Sequence, residues 1–282
     1  MMKYVLFVPL LLACVLCARP GSAAEPMRVA CMAYTFSKHD GPFLEALEKT
    51  AKVGARFIEI SPGQPLSRTD PTKMQGLSDV QIALALAEAE KLGVKPISIY
   101  LTILPDEAGA RASFEYAKKL GVKNITTESF NAITFIEKLV PEYDLTISFH
   151  THARKPADPR YWSWNPDYVF GFLQGRDPRI GVCAETGHWA TSGVVSLNAI
   201  KLLAGRIHSL HLKDRSALGR ATPDQVYGTG VNRIGDILIE LKRQGGSPII
   251  TVEYESNTDN NLEEVAECIA FVRTQLGQGA VR

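Results

Sequence analysis

The chain has 282 residues, 45% of them hydrophobic, which suffices for one large α/β domain with a buried core and excludes intrinsic disorder. Its 31 basic and 30 acidic residues leave a formal net charge of +1. Such a balance shows no basic stripe of the kind a phosphate backbone requires, and no nucleic-acid partner is expected.

Residues 1–24 differ in kind from the rest. Lys3 is followed by an apolar run from Tyr4 to Cys17 and then by Ser22-Ala23-Ala24, small residues at the positions a signal peptidase reads. The run is too short for a membrane span. The expected reading is a removed secretory signal and a mature domain over residues 25–282, exported to the periplasm or the extracellular space and free of the membrane. Leu11-Leu12-Ala13-Cys14 loosely resembles a lipobox, so lipid anchoring through Cys14 is the alternative form of export. Without Lys3 and Arg19 the mature chain carries 29 basic and 30 acidic residues.

From residue 27 onward, short apolar runs alternate with segments of helical period, the pattern of a parallel sheet covered by helices. The predicted strands are Met27–Tyr34, Arg56–Ile60, Lys95–Leu101, Val122–Thr127, Leu145–His150, Ile180–Ala184, Ile207–Leu212 and Pro248–Glu253. Between them lie predicted helices over Phe43–Val53, Asp79–Leu92, Glu107–Leu120, Phe130–Leu139, Leu197–Leu203 and Ile234–Arg243, with Leu262–Leu276 closing the chain. Val53-Gly54-Ala55, Leu92-Gly93-Val94 and Leu120-Gly121-Val122 repeat one helix-stop, strand-start phrase. Eight such units in about 250 residues predict a single (β/α)8 TIM barrel, whose active site sits on the loops after the strands. An open doubly wound sheet is the competing fold, but Ser37-Lys38-His39-Asp40 after the first strand is no glycine-rich dinucleotide loop. The stretch His152–Pro166 reads as a long functional loop.

Ionisable residues gather at the ends of predicted strands four to eight. Strand four ends at Glu128, and strand five ends His150-Thr151-His152. Strand six runs into Cys183-Ala184-Glu185-Thr186-Gly187-His188, strand seven into His211-Leu212-Lys213-Asp214, and strand eight into Glu253-Tyr254-Glu255. Alternate strand residues share a face, so His150 with His152, His211 with Lys213, and Glu253 with Glu255 each point one way. If that way is inward, neighbouring strands aim imidazoles and carboxylates at one spot. Mixed nitrogen and oxygen donors of this kind suit Mn2+, Zn2+ or Co2+. Cys31, Cys183 and Cys268 lie far apart in sequence and form no disulfide framework; they read mostly as small buried hydrophobes. Trp162, Trp164 and Trp189 fall in the loops after strands five and six, where indoles stack on sugar rings or pack a loop against a barrel.

His-x-His, Cys-x-Glu-x-Gly-His, His-x-Lys-Asp and Glu-Tyr-Glu in this order resemble the motifs of the sugar phosphate isomerase/epimerase superfamily with xylose-isomerase-like barrels. The resemblance covers residues 27–275 in layout and 145–255 in motif. It implies metal ligands at Glu185, His211 and Glu253, with His150 at the strand-five position, and glutamates that exchange protons with substrate carbons. Two positions depart from the family pattern: Glu185 stands in place of Asp, and His150 in place of the strand-five Glu, for which Glu128 is the compensating carboxylate. His150 or Glu253 is then the expected base, with His188 and Lys213 orienting substrate or serving as acids. Lys213 is equally well placed to pair with Asp214 or with a mouth glutamate.

The resulting expectation is a metal-dependent isomerase or epimerase of a sugar or sugar derivative, acting by proton abstraction through an enediolate. Export favours an unphosphorylated substrate. A lyase or hydratase of 3-keto-glycosides on the same barrel is the alternative enzyme, and a sugar-binding barrel without catalysis the alternative class. Abasic-site endonucleases share the barrel, but the charge and the leader oppose that reading. Self-association into a homo-oligomer is compatible with the sequence.

Overall fold

The computed structural model describes residues 26–37 and 41–279, so the leader expected at residues 1–24 lies outside the described residues. Eight parallel strands close into a barrel: β1 (Arg28–Met32), β2 (Phe57–Ile60), β3 (Lys95–Tyr100), β4 (Asn124–Thr127), β5 (Thr146–His150), β6 (Ile180–Glu185), β7 (Ile207–Leu212) and β10 (Ile249–Val252). Two-residue strands β8 (Asp214–Arg215) and β9 (Asp224–Gln225) form a small antiparallel pair in the loop after β7. The order around the barrel is β1-β10-β7-β6-β5-β4-β3-β2, so β4 and β10 stand diametrically opposite.

Around the strands lie α1 (Phe43–Lys52), α2 (Asp79–Lys91), α3 (Glu107–Lys119), α4 (Ile133–Tyr143), α5 (Pro166–Leu173), α6 (Thr186–Thr191), α7 (Ser196–Leu202), α8 (Ile234–Gln244) and α9 (Leu262–Leu276). Ser78 and Gln81 close a reciprocal capping box at the start of α2. In the repeated phrases, Gly54, Gly93 and Gly121 take φ of 80°, 63° and 69°, the left-handed turn a helix needs to reverse into the next strand.

The structure corrects the sequence reading in three places. The first strand stops at Met32 and continues as a 3-10 turn through Ala33–Phe36. Helix α4 begins at Ile133, after a 3-10 turn at Phe130–Ala132. Helices α5 and α6 are additional to the predicted set; Asn165 accepting from Asp167 N, with Pro166 in the first turn, is the start signal for α5.

The outward residues of the strands, among them Ile58, Ile125, Ile147, Phe149, Val182, Leu210 and Val252, pack under the helices in one continuous core. The inward ones are largely polar. Asn124 donates to Ser98 Oγ (2.9 Å) and accepts from Thr146 (2.9 Å) and Ser148 (2.7 Å), all inside the barrel. Such a filled, hydrogen-bonded interior makes a rigid floor beneath the C-terminal mouth. The 152–166 loop is held down by Trp162, which packs on Phe130 (ring centroids 4.6 Å) and Phe172 (5.4 Å). Each aromatic pair contributes roughly 0.5–1.5 kcal/mol beyond area burial.

Candidate active site at the barrel mouth

A cavity of about 390 Å³ opens at the C-terminal end of the barrel, lined by Met32, Tyr34, Ser61, Pro62, Gly63, Tyr100, Glu128, His150, His152, His188, His211 and Glu253. Strand alternation explains the convergence: His150 ends β5 with His152 two residues beyond it, His211 is the last inward residue of β7, and Glu253 immediately follows β10. The imidazoles of His150 and His211 lie 5.0 Å apart by ring centroid, those of His150 and His188 5.7 Å, and those of His152 and His188 4.0 Å.

His211 sits between two carboxylates. Its Nε2 is 3.2 Å from Glu59 Oε2 and its Nδ1 is 3.0 Å from Glu253 Oε2. Glu59, fully buried on β2, also accepts from Thr126 Oγ1 (2.6 Å) and Thr251 Oγ1 (2.8 Å). Burial alone would raise the Glu59 pKa, but the His211 charge and these hydrogen bonds outweigh it and hold the group down at about 2. For His211, burial opposes the charged form and is outweighed by Cys183 and Glu59, so its pKa is raised.

Glu253 Oε1 accepts from Tyr34 OH and lies 3.3 Å from Lys213 Nζ, which also pairs with Glu255. Burial and the neighbouring Glu255 raise the Glu253 pKa; Glu255 is held low because Lys213 overcomes its desolvation. On the opposite wall, Glu128 accepts from Tyr100 OH (2.6 Å) and Tyr161 OH (3.3 Å) and lies 3.4 Å from His150 Nδ1. His150 and Tyr100 overcome its desolvation and bring its pKa to about 2. Burial lowers the pKa of His150 and takes that of His188 down to about 3, so both imidazoles are neutral at neutral pH.

The sequence-derived candidates therefore separate. Glu128, His150, His188, His211 and Glu253 line the cavity, whereas Lys213 meets it through Glu253. Lys213 pairs with the mouth glutamates. Asp214 instead accepts from the backbone N–H groups of Gly228, Gly230 and Asn232 and knits the following loop. Glu185, fully buried, caps α6 by accepting from Gly187 N (3.0 Å) and His188 N, and lies 3.4 Å from His188 Nδ1. None of the three tryptophans is among the lining residues, and Trp189 is buried in the core. The aromatic walls are Tyr34 and Tyr100. Glu59, Tyr34 and Tyr100 are absent from the sequence-derived set; the inward position of Glu59 within an otherwise apolar β2 was the available signal.

The donor set fits a divalent cation. His150 Nδ1, both nitrogens of His211 and Glu253 Oε2 are buried around the cavity without a hydrogen bond of acceptable geometry. Each imidazole nitrogen here faces a carboxylate, and a divalent cation shared between the remaining imidazole and carboxylate lone pairs would satisfy the cluster. The ligand atoms of His150, Cys183 and His211 lie within 4.8 Å of one another.

Residues 47–275 match the description of the xylose isomerase-like TIM barrel family. The chain belongs to that family. No curated protein matches it. Among solved structures, the barrel is similar to an uncharacterised protein from Parabacteroides distasonis ATCC 8503 (29% identity, 88% of this chain and 98% of that one, TM-score 0.69). It shares its fold with D-psicose 3-epimerase in the presence of D-fructose (14% identity, 89% and 100%, TM-score 0.68). An IolI protein with a bound zinc atom has the same fold (17% identity, 89% and 98%, TM-score 0.62).

Proposed function

We propose that this barrel is a metal-dependent isomerase or epimerase of an unphosphorylated sugar or sugar derivative, moving a proton on a carbon next to a carbonyl. The observation that carries this reading is the pair Glu128 and Glu253, which follow the diametrically opposite strands β4 and β10 and flank the imidazole cluster between them. Two carboxylates on opposite walls reach the two faces of a bound carbon chain, which is what inversion of a carbon centre requires.

His150, His211 and Glu253 would hold the metal, with Glu185 or Cys183 of β6 completing the set. When bound, the cation supplies stabilisation of the negative charge that builds on the substrate oxygens as carbon loses its proton. Glu253 is held by Tyr34 and Lys213 on Oε1, while Oε2, 3.0 Å from His211 Nδ1, faces the imidazole cluster, where the carboxylate would meet the cation and exchange the substrate proton. Glu128, fixed by Tyr100, serves the other face. His188, neutral and in the cavity wall, hydrogen-bonds substrate hydroxyls, and the rings of Tyr34 and Tyr100 offer apolar faces to sugar C–H groups.

Turnover of candidate keto-sugars in deuterated buffer tests this. Metal-dependent interconversion with one deuterium incorporated per turnover is expected, lost in Glu253→Gln and Glu128→Gln. Metal-dependent turnover without solvent deuterium would exclude proton abstraction.

The imidazole of His150 favours one further reading. Where a carboxylate would make the two walls symmetric, His150 makes the proton-transfer groups unequal, which suits elimination of a leaving group from a 3-keto-glycoside. Released aglycone in place of an epimer in the same assay selects it.

A further inference from the structure

Strand β6 carries two inward side chains with potential metal-ligating atoms, Cys183 and Glu185, two residues apart on one face. They differ in what already occupies them. Glu185 caps α6 through Gly187 N and His188 N, so its carboxylate is committed to the helix terminus. The cap satisfies donors that would otherwise be orphaned and favours the negative charge there.

Cys183 is fully buried and unbridged, and its register partner on β5 is His150. Its sulfur, a nitrogen of His150 and a nitrogen of His211 lie mutually within 4.8 Å. That spacing suits three donors placed around one ion, since metal–sulfur and metal–nitrogen bonds of about 2.0–2.3 Å put tetrahedral donors roughly 3.3–3.8 Å apart after a small contraction. His150 Nδ1 and both His211 nitrogens are buried and face carboxylate oxygens at 3.0–3.4 Å, so carboxylates already orient both imidazoles around the sulfur.

We propose that Cys183, and not Glu185, is the β6 ligand, giving a His150–Cys183–His211 site with the Glu253 carboxylate as the adjacent oxygen donor. The inference rests on the metal-dependent reading above and changes its ligand chemistry. On binding, the thiol releases its proton to solvent and the sulfur lone pair forms the new bond, with no change of oxidation state. One thiolate and two imidazoles select Zn2+ or Co2+ over Mg2+ and Mn2+. Glu185 then acts as a positioning residue that holds α6 and, through it, His188.

The test is titration of the purified protein with Co2+ alone, with metal content measured in parallel, and zinc-edge X-ray absorption on the Zn2+ form. A thiolate-to-cobalt charge-transfer band at stoichiometric metal is expected, together with one sulfur scatterer at about 2.3 Å. Cys183→Ser should abolish the band and reduce the preference for Zn2+ over Mn2+ by about tenfold or more, while Glu185→Gln keeps the band. Stoichiometric cobalt with neither band nor sulfur scatterer overturns the thiolate ligand and leaves the metal-dependent reading standing. Failure to bind cobalt at all removes both. Loss of metal in Glu185→Gln but not in Cys183→Ser returns the β6 ligand to Glu185. If Cys183→Ser does not fold, absorption of the unsubstituted zinc form decides alone.

Discussion

Glu59 Oε2 lies 3.2 Å from His211 Nε2, joining β2 to β7 across the interior of the barrel. A buried carboxylate behind an imidazole fixes the ring and raises its basicity, as in the carboxylate–histidine–metal arrangement. Glu59→Gln removes the charge while Thr126 and Thr251 can still bond the side chain. Zinc affinity is expected to fall by about 10–100-fold with the fold intact; unchanged affinity in a competitive chelator titration would show that Glu59 serves only the barrel floor.

Gly187 sits where any side chain would strike Lys213. An added Cβ would lie 2.8 Å from Lys213 Cβ and 2.9 Å from Arg215 Nε. Gly187→Ala therefore displaces the cation that holds Glu253, at a cost of about 1–3 kcal/mol. We expect a lower Tm and at least a tenfold lower kcat, roughly the effect of a misplaced reacting group, both measurable on one preparation.

Lys213 is buried between Glu253 and Glu255, 3.3 Å from Glu253 Oε1. Lys213→Met leaves two neighbouring carboxylates with no cation between them, and breaking a buried pair in this way costs about 3–5 kcal/mol. Adding Glu255→Gln should recover part of that loss in urea unfolding. Equal stability of the single and double variants would mean that Lys213 contributes packing alone.

At the other end of the barrel, burial pushes the half-buried His208 imidazole down to about 4 from an ordinary 6.5. The unfolded chain takes up this proton before the folded one does, so the contribution to stability is complete above 6.5, declines as the pH falls toward 4, and is flat below it. His208→Gln should flatten this limb, the Tm gap between variant and parent changing by roughly 2–4 °C per kcal/mol across the window. A parallel pH dependence in both proteins would place the titration elsewhere.

Much of this was legible in the residues. Alternating apolar runs and helical segments, with Gly54, Gly93 and Gly121 ending helices, predicted the closed barrel because backbone geometry and hydrophobic period are local properties. The position of His150, His211 and Glu253 at the ends of inward-facing series followed from the period of two. Helix α6 escaped because its start signal, Glu185, reads equally well as a ligand.

What the sequence determined by itself was therefore the architecture and the mouth of the barrel as the place where imidazoles and carboxylates meet. Tertiary structure alone decided who touches whom. It set Glu59 against His211 from a distant strand, gave Lys213 to the glutamates instead of Asp214, and put the Glu185 carboxylate on a helix terminus. Those choices depend on strand stagger and side-chain reach across a closed sheet, and no local pattern encodes the stagger between strands that are far apart in the chain.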